Sequence, residues 1–156
     1  AKYTIERPLH LGAVAANVEA GTNLLPMLSA YGLPLGDAFQ MRDDMLGAFG
    51  DSIITGKSVG GDFLEGKPTP MLARAYALAS APQLKILDTI GTPGMSRDDV
   101  EAVQEVVSAT GAVAEMESLI ASLRDEAVAS LDKHLIQGAA YEALLGLADA
   151  VTQREI

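Results

Sequence analysis

Asp43 and Asp44 stand side by side in FQMRDDMLGAFG (39–50), and Lys57 and Lys67 follow them in a glycine-rich stretch. Paired carboxylates followed by lysines among glycines suit two kinds of chemistry. One is a hard cation held by carboxylate oxygens; the other is a phosphate held by ammonium groups. Neighbouring residues on a helix diverge, but both aspartates lie about one turn from Gln40. Gln40, Asp44, Gly47 and Asp51 make one polar line on an otherwise apolar stretch, with Asp37 one turn earlier. A carboxylate that is buried or faces a cleft requires a cation, and that line has neither Lys nor Arg. A hard metal ion is therefore its expected partner. The bland reading of an Asp-Asp pair is a solvated acidic face, and the lysines and glycines that follow at once weigh against it.

A nucleotide-binding loop of the form G-x-x-x-x-G-K-[ST] is excluded. Gly56-Lys57-Ser58 supplies its end, but Asp51 stands where its first glycine belongs. Gly61 to Lys67 fits the first seven positions, and Pro68 then replaces the hydroxyl residue. Cysteine is absent, which removes disulfides and thiolate metal sites. His10 and His134 have no paired ligand in sequence and are expected at the surface or partly buried. Met27, Met41, Met45, Met71 and Met116 are expected in the core.

The elements that must position these residues are helices. A chain of 156 residues is large enough for one domain with a real core. Hydrophobic residues make up 49% but aromatics only 4%, so the apolar content is mostly Ala, Leu, Val and Met. That composition favours helices over a β-sandwich. Ile5, Leu9, Ala13 and Ala16 recur at helical spacing and predict a helix from Tyr3 to about Val18. A break is expected at Gly21-Thr22-Asn23, with Thr22 or Asn23 capping a helix from Leu24 to about Phe49 that Pro34 and Gly36 bend or split. Gly50 to Gly66 reads as a long loop of the functional kind.

Further helices are predicted over Pro70–Ser80 and Gln83–Ile90. Ser96 should cap the next, with Asp98 and Asp99 in its first turn and Val100, Val103, Val107 and Thr110 as its buried stripe. The longest clean helix is predicted over Ala112–Leu135, with Met116, Leu119, Ile120, Leu123, Ala127, Leu131 and Leu135 inward. A last helix covers about Ala139 to Thr152. The expectation is one all-α domain of about seven helices.

A formal net charge of −10 excludes a nucleic-acid binder, since phosphate backbones need Lys and Arg partners. No uninterrupted apolar run of roughly 18 residues indicates a membrane span. The start has no signal-peptide pattern, so a cytoplasmic location is expected.

Phe39-Gln40-Met41-Arg42-Asp43-Asp44-Met45-Leu46, Gly50-Asp51, Thr55-Gly56-Lys57, Gly61-Asp62 and Glu65-Gly66-Lys67 carry a resemblance. In this order and spacing they closely resemble the second aspartate-rich region of the trans-polyprenyl diphosphate synthases, which include the geranylgeranyl and farnesyl diphosphate synthases. AKYTIERPLHLGA resembles the family helix just before that region, and Leu144 to Arg154 resembles its C-terminal helix. The resemblance implies the isoprenoid synthase helical fold, of which this chain is the C-terminal part. The first aspartate motif and the N-terminal helices would lie outside it, and the chain alone would be inactive.

The resemblance further implies a homodimeric, magnesium-dependent prenyltransferase. An allylic diphosphate ionises, isopentenyl diphosphate attacks the allylic cation, and a proton is lost to the released diphosphate. Asp43 and Asp44 are the implied ligands of Mg2+, with Gln40 orienting their shell. Lys57 and Lys67 are the implied diphosphate contacts, and Phe39 lines the wall near the cation. The family pattern is often D-D-x-x-D, and Gly47 stands at its last position, as in members similar to the actinobacterial type. Asp51 aligns with the family's own Gly-Asp, so the number of direct metal ligands stays open. Two alternatives remain at this point: a non-catalytic homologue serving as a partner subunit, and a plain helical interaction module.

Overall fold

The computed structural model describes residues 1–50 and 60–153. Asp51 and Lys57 lie outside the described residues. Among the described residues all regular structure is helical, as composition predicts. A π-helical segment, Lys2–Glu6, leads into α1, Arg7–Ala16, and then α2, Val18–Phe49. The one-turn α3, Gly61–Leu64, is followed by α4, Pro70–Leu78, and α5, Ala81–Leu87. Then come α6, Arg97–Ala109, α7, Ala112–Ala129, and α8, Ala139–Thr152. No single helix among the described residues is long and apolar enough to cross a membrane.

The chain forms two compact units. One comprises Ala1–Arg42 and Leu119–Arg154, and its core gathers Ile5, Tyr31, Leu35, Ala127, Leu131 and Ala148. Tyr31, Leu35 and Ala38 recur at i, i+4 and i+7 along α2 and are fully buried, which is the stripe a helix presents to a core. Tyr31 also donates its hydroxyl to the Leu144 carbonyl at 2.7 Å, so the ring is buried without an orphaned O–H. The other unit, Asp43–Ser118, buries Met45, Phe63, Met71, Leu87, Val103 and Val107. In it Phe49 meets Phe63 edge to face, with ring centroids 6.1 Å apart.

Three expectations are corrected by the structure, and a fourth is narrowed. The break expected at Gly21-Thr22-Asn23 occurs at Asn17, whose backbone is extended and whose Oδ1 accepts the Ala20 N–H at 2.9 Å. Asn17, and neither Thr22 nor Asn23, is therefore the cap of α2. Gly21 lies inside α2 because the backbone of Ala13 runs so close that a Cβ there would overlap it.

Of the bend or split expected at Pro34 and Gly36, the split does not occur, and α2 continues past both. A proline removes one bond, to the carbonyl four residues back. For Pro26 and Pro34 those carbonyls belong to Thr22 and Ala30, both exposed, where water can satisfy them.

The helix predicted to reach Leu135 ends at Ala129. Asp132 captures the chain beyond it: its Oδ1 accepts the His134 N–H at 2.7 Å and its carbonyl accepts Leu135 and Ile136 N–H. A short acidic side chain thus competes with the helix for backbone donors. Leu119 and Leu135, expected inward, are 38% and 52% exposed. Lastly, the stretch read as loop to Gly66 contains α3.

The box at Ser96 forms as expected. Ser96 Oγ accepts the Asp99 N–H at 3.2 Å and Asp99 Oδ2 accepts the Ser96 N–H at 2.8 Å.

Candidate functional site

The site is built around the end of α3. Gly66 has φ +65, which only glycine adopts without strain, and it closes the helix in a Schellman motif. Gly66 N–H bonds the Phe63 carbonyl at 3.1 Å, and Lys67 N–H bonds the Asp62 carbonyl at 2.9 Å. Gly91 backs this turn, its N–H sharing the Phe63 carbonyl at 3.0 Å. The turn returns the chain on itself, so that Lys67 faces Asp62. Thr69 then caps α4, accepting the Leu72 N–H at 3.2 Å, and so ends the segment rigidly.

From this turn the Lys67 side chain reaches α2. Its Nζ donates to Asp44 Oδ1 at 2.9 Å and to Asp62 Oδ2 at 3.0 Å. The Asp44 and Asp62 side chains are 8% and 12% exposed, whereas that of Lys67 is 36% exposed. The carboxylates therefore form a buried floor and the ammonium an accessible tip. The bond to Asp44, and then that to Asp62, holds the Lys67 ammonium above the usual lysine range, against the opposing effect of burial. Lys67 is charged at any physiological pH.

The acidic line on α2 has no Lys or Arg among its own positions, and the structure supplies a cation from the turn that ends α3. Asp44 meets Lys67, 23 residues away. Asp43 is half-buried beside it, and its carboxylate makes no hydrogen bond or ion pair to another described residue. Gly47, one turn beyond Asp44, is buried against the Asp62 carboxylate. Asp37 and Gln40 are exposed, and Phe39 is half-buried. Arg42, also within FQMRDD, is 7% exposed and donates from Nε to the Thr152 carbonyl at 2.9 Å, a tie between α2 and α8. Lys57 lies outside the described residues.

Asp62 is the site residue to which sequence reasoning assigned no role. Its signal was present in the glycine at 66 and the lysine at 67, because a Schellman turn returns the sixth residue's N–H to the first residue's carbonyl.

His10 is half-buried, with Nε2 3.0 Å from Ser29 Oγ, and Ser29 Oγ donates to Glu6 Oε1 at 2.7 Å. The serine proton thus goes to the carboxylate, and the imidazole is left to donate to the serine oxygen. That direction is the reverse of an activated nucleophile. His134 is exposed, and Met27, Met45, Met71 and Met116 are buried as expected.

The donors at Asp43 and Asp44 are hard oxygens, the chemistry of Mg2+ and Ca2+. Among the described residues no three of His, Asp and Glu gather closely enough to hold an ion by themselves. Magnesium is commonly bound by one or two carboxylates, with phosphate oxygens and water completing its shell. The residues present fit an ion that arrives with a phosphate ligand, and Lys67 adds a positive group for that same phosphate.

A family model described as polyprenyl synthetase matches residues 1–109. Geranylfarnesyl diphosphate synthase of Aeropyrum pernix is 40% identical over 114 residues, covering 73% of this chain and 34% of that protein. Among solved structures, geranylgeranyl pyrophosphate synthase from Corynebacterium glutamicum, complexed with isoprenyl diphosphate and magnesium, matches with a TM-score of 0.87 and 38% identity. That match covers 98% of this chain and 43% of the other. A polyprenyl synthase from Caulobacter crescentus, complexed with calcium and isoprenyl diphosphate, has a TM-score of 0.82 and 32% identity, over 96% of this chain and 45% of its own. The chain thus spans less than half the length of these relatives.

Proposed function

The chain belongs to the polyprenyl synthetase family, and from that premise we propose that it is the diphosphate-binding part of a prenyltransferase. The reaction is the condensation of isopentenyl diphosphate with an allylic diphosphate, of the geranylgeranyl type. The C–O bond of the allylic diphosphate breaks, a new C–C bond forms to isopentenyl diphosphate, and a proton leaves with the diphosphate released. The observation that carries the proposal is the Lys67 ammonium held on two buried carboxylates with its tip open, beside the half-buried Asp43. Solved relatives of high structural similarity hold isoprenyl diphosphate with magnesium or calcium.

Bound Mg2+ supplies neutralisation of the diphosphate charge, which makes a poor leaving group a competent one. Asp43, and Asp44 directly or through water, are the residues that would hold it, with Gln40 orienting that shell. Lys67 donates N–H to the diphosphate oxygens, a bond that strengthens as negative charge grows on the departing group. Lys57 is the second cation of the same role. Phe39 lines the wall where the face of its ring meets the allylic cation. No protein base is needed, since the released diphosphate takes the proton. A homodimeric, cytoplasmic enzyme using Mg2+ belongs to the same proposal and rests on the family alone.

Asp43→Ala in the full natural polypeptide that carries these residues tests the reading. Condensation should be abolished, read as product from labelled isopentenyl diphosphate, while far-ultraviolet circular dichroism is unchanged. Turnover at the wild-type rate would remove Asp43 from the metal site. A wild-type polypeptide that binds diphosphate with Mg2+ but never condenses would favour the partner-subunit reading instead.

A further inference from the structure

Gly47 enters the family comparison as a departure, and Asp62 has no role in the mechanism; the two belong to one device. A Cβ on Gly47 would lie 2.5 Å from Asp62 Oδ2, 2.6 Å from its Cγ and 2.7 Å from its Oδ1. The Asp62 carboxylate thus fills the volume that any side chain at position 47 would need. Gly47 follows Asp44 by one turn of α2, so a carboxylate lodged there meets the ammonium that Asp44 holds, at 3.0 Å and 2.9 Å respectively. We infer that Asp62 is a positioning residue: seated in the notch that Gly47 leaves on α2, it joins Asp44 in holding the Lys67 ammonium with one N–H free for a diphosphate.

This rests on the proposed role of Lys67. An ammonium has three donors, and two are taken by the buried carboxylates, so the third belongs to the open side. A free lysine loses rotamer entropy when it is fixed. Here that loss is met in the folded protein, before a ligand arrives, which is how preorganisation raises affinity. The group that a methyl at 47 would strike is the end of a side chain, so α2 need not move. What must move is the Asp62 carboxylate, and with it the bond to Lys67. A side chain at 47 would therefore displace the Asp62 carboxylate from the place it holds here.

The test uses the full natural polypeptide and two readouts: calorimetric affinity for inorganic diphosphate with Mg2+, and the acylation rate of Lys67 without ligand, followed by mass spectrometry. Asp62→Asn keeps the volume and the fold while weakening the grip on Lys67. It and Gly47→Ala should each weaken diphosphate binding about tenfold and speed Lys67 acylation several-fold. In an Asp62→Ala background, Gly47→Ala should change neither readout, because its obstacle is gone. Additive effects of the two substitutions, or an unchanged acylation rate in Asp62→Asn, would overturn the inference. Coupled acylation without any wild-type affinity for diphosphate would overturn the proposed function and leave the Asp62 clamp supported.

Discussion

Lys67 is the residue on which the site turns, because it is the cation that two buried carboxylates share. Replacing it by methionine keeps the stem and removes the charge. Asp44 and Asp62, 8% and 12% exposed in their side chains, would then face one another without the cation they share. Removing a hydrogen-bond donor from buried acceptors costs about 1–3 kcal/mol. Lys67→Met is therefore expected to lower the melting temperature by several degrees. Millimolar Mg2+ should raise it more in the variant than in the wild type, since the ion would take the place of the ammonium. An equal magnesium effect in both proteins, by differential scanning calorimetry, would count against a metal held at Asp43 and Asp44.

At the scale of elements, α2 carries both the acidic pair and the core stripe of Tyr31, Leu35 and Ala38. Burial, with the nearby Asp149 charge adding to it, pushes Tyr31 up from 10.0 to about 12. A tyrosine raised in the folded state contributes stability that is complete below its unfolded value and is lost as pH climbs through the folded one. About 2–3 kcal/mol should therefore disappear between roughly pH 10 and pH 12. Tyr31→Phe should remove that share of the alkaline decline, at a cost near neutrality of about 1 kcal/mol for the lost bond to Leu144. Urea unfolding of both proteins at neutral and alkaline pH measures the difference. The opposite ordering, a steeper decline in the phenylalanine variant, would contradict the burial of that hydroxyl.

At the scale of the molecule, the net charge of −10 sets a background of self-repulsion around the site proposed to bind diphosphates. Such repulsion is screened over about 10 Å at roughly 0.1 M salt. Raising NaCl from low to physiological strength should raise the melting temperature by a few degrees. A fall instead would mean that the ion pairs, Arg124 with Asp149 and Lys67 with its two carboxylates, outweigh the excess charge. The family match and the structural similarity reach across most of the chain, so α2 and α3 are read with the family's own order of motifs.

The sequence by itself determined the helical class, because Ala, Leu and Met with few aromatics and no strand period leave little else to form. It also determined the family, through an ordered run of motifs that no composition effect produces, and the capping box at Ser96, which is local chemistry. Boundaries needed the tertiary structure: Asn17 broke the chain where Gly21 was expected to, since a glycine pressed against Ala13 looks in sequence like a glycine in a turn. The end of α7 was hidden for a similar reason, as the alternative partners of Asp132 lie off the helix. Above all, only the fold decided that Lys67, 23 residues from Asp44, is the cation of the acidic line. Helical periodicity relates residues three or four apart, and it says nothing of a lysine returned by a glycine turn or of a carboxylate that fits because Gly47 has no side chain.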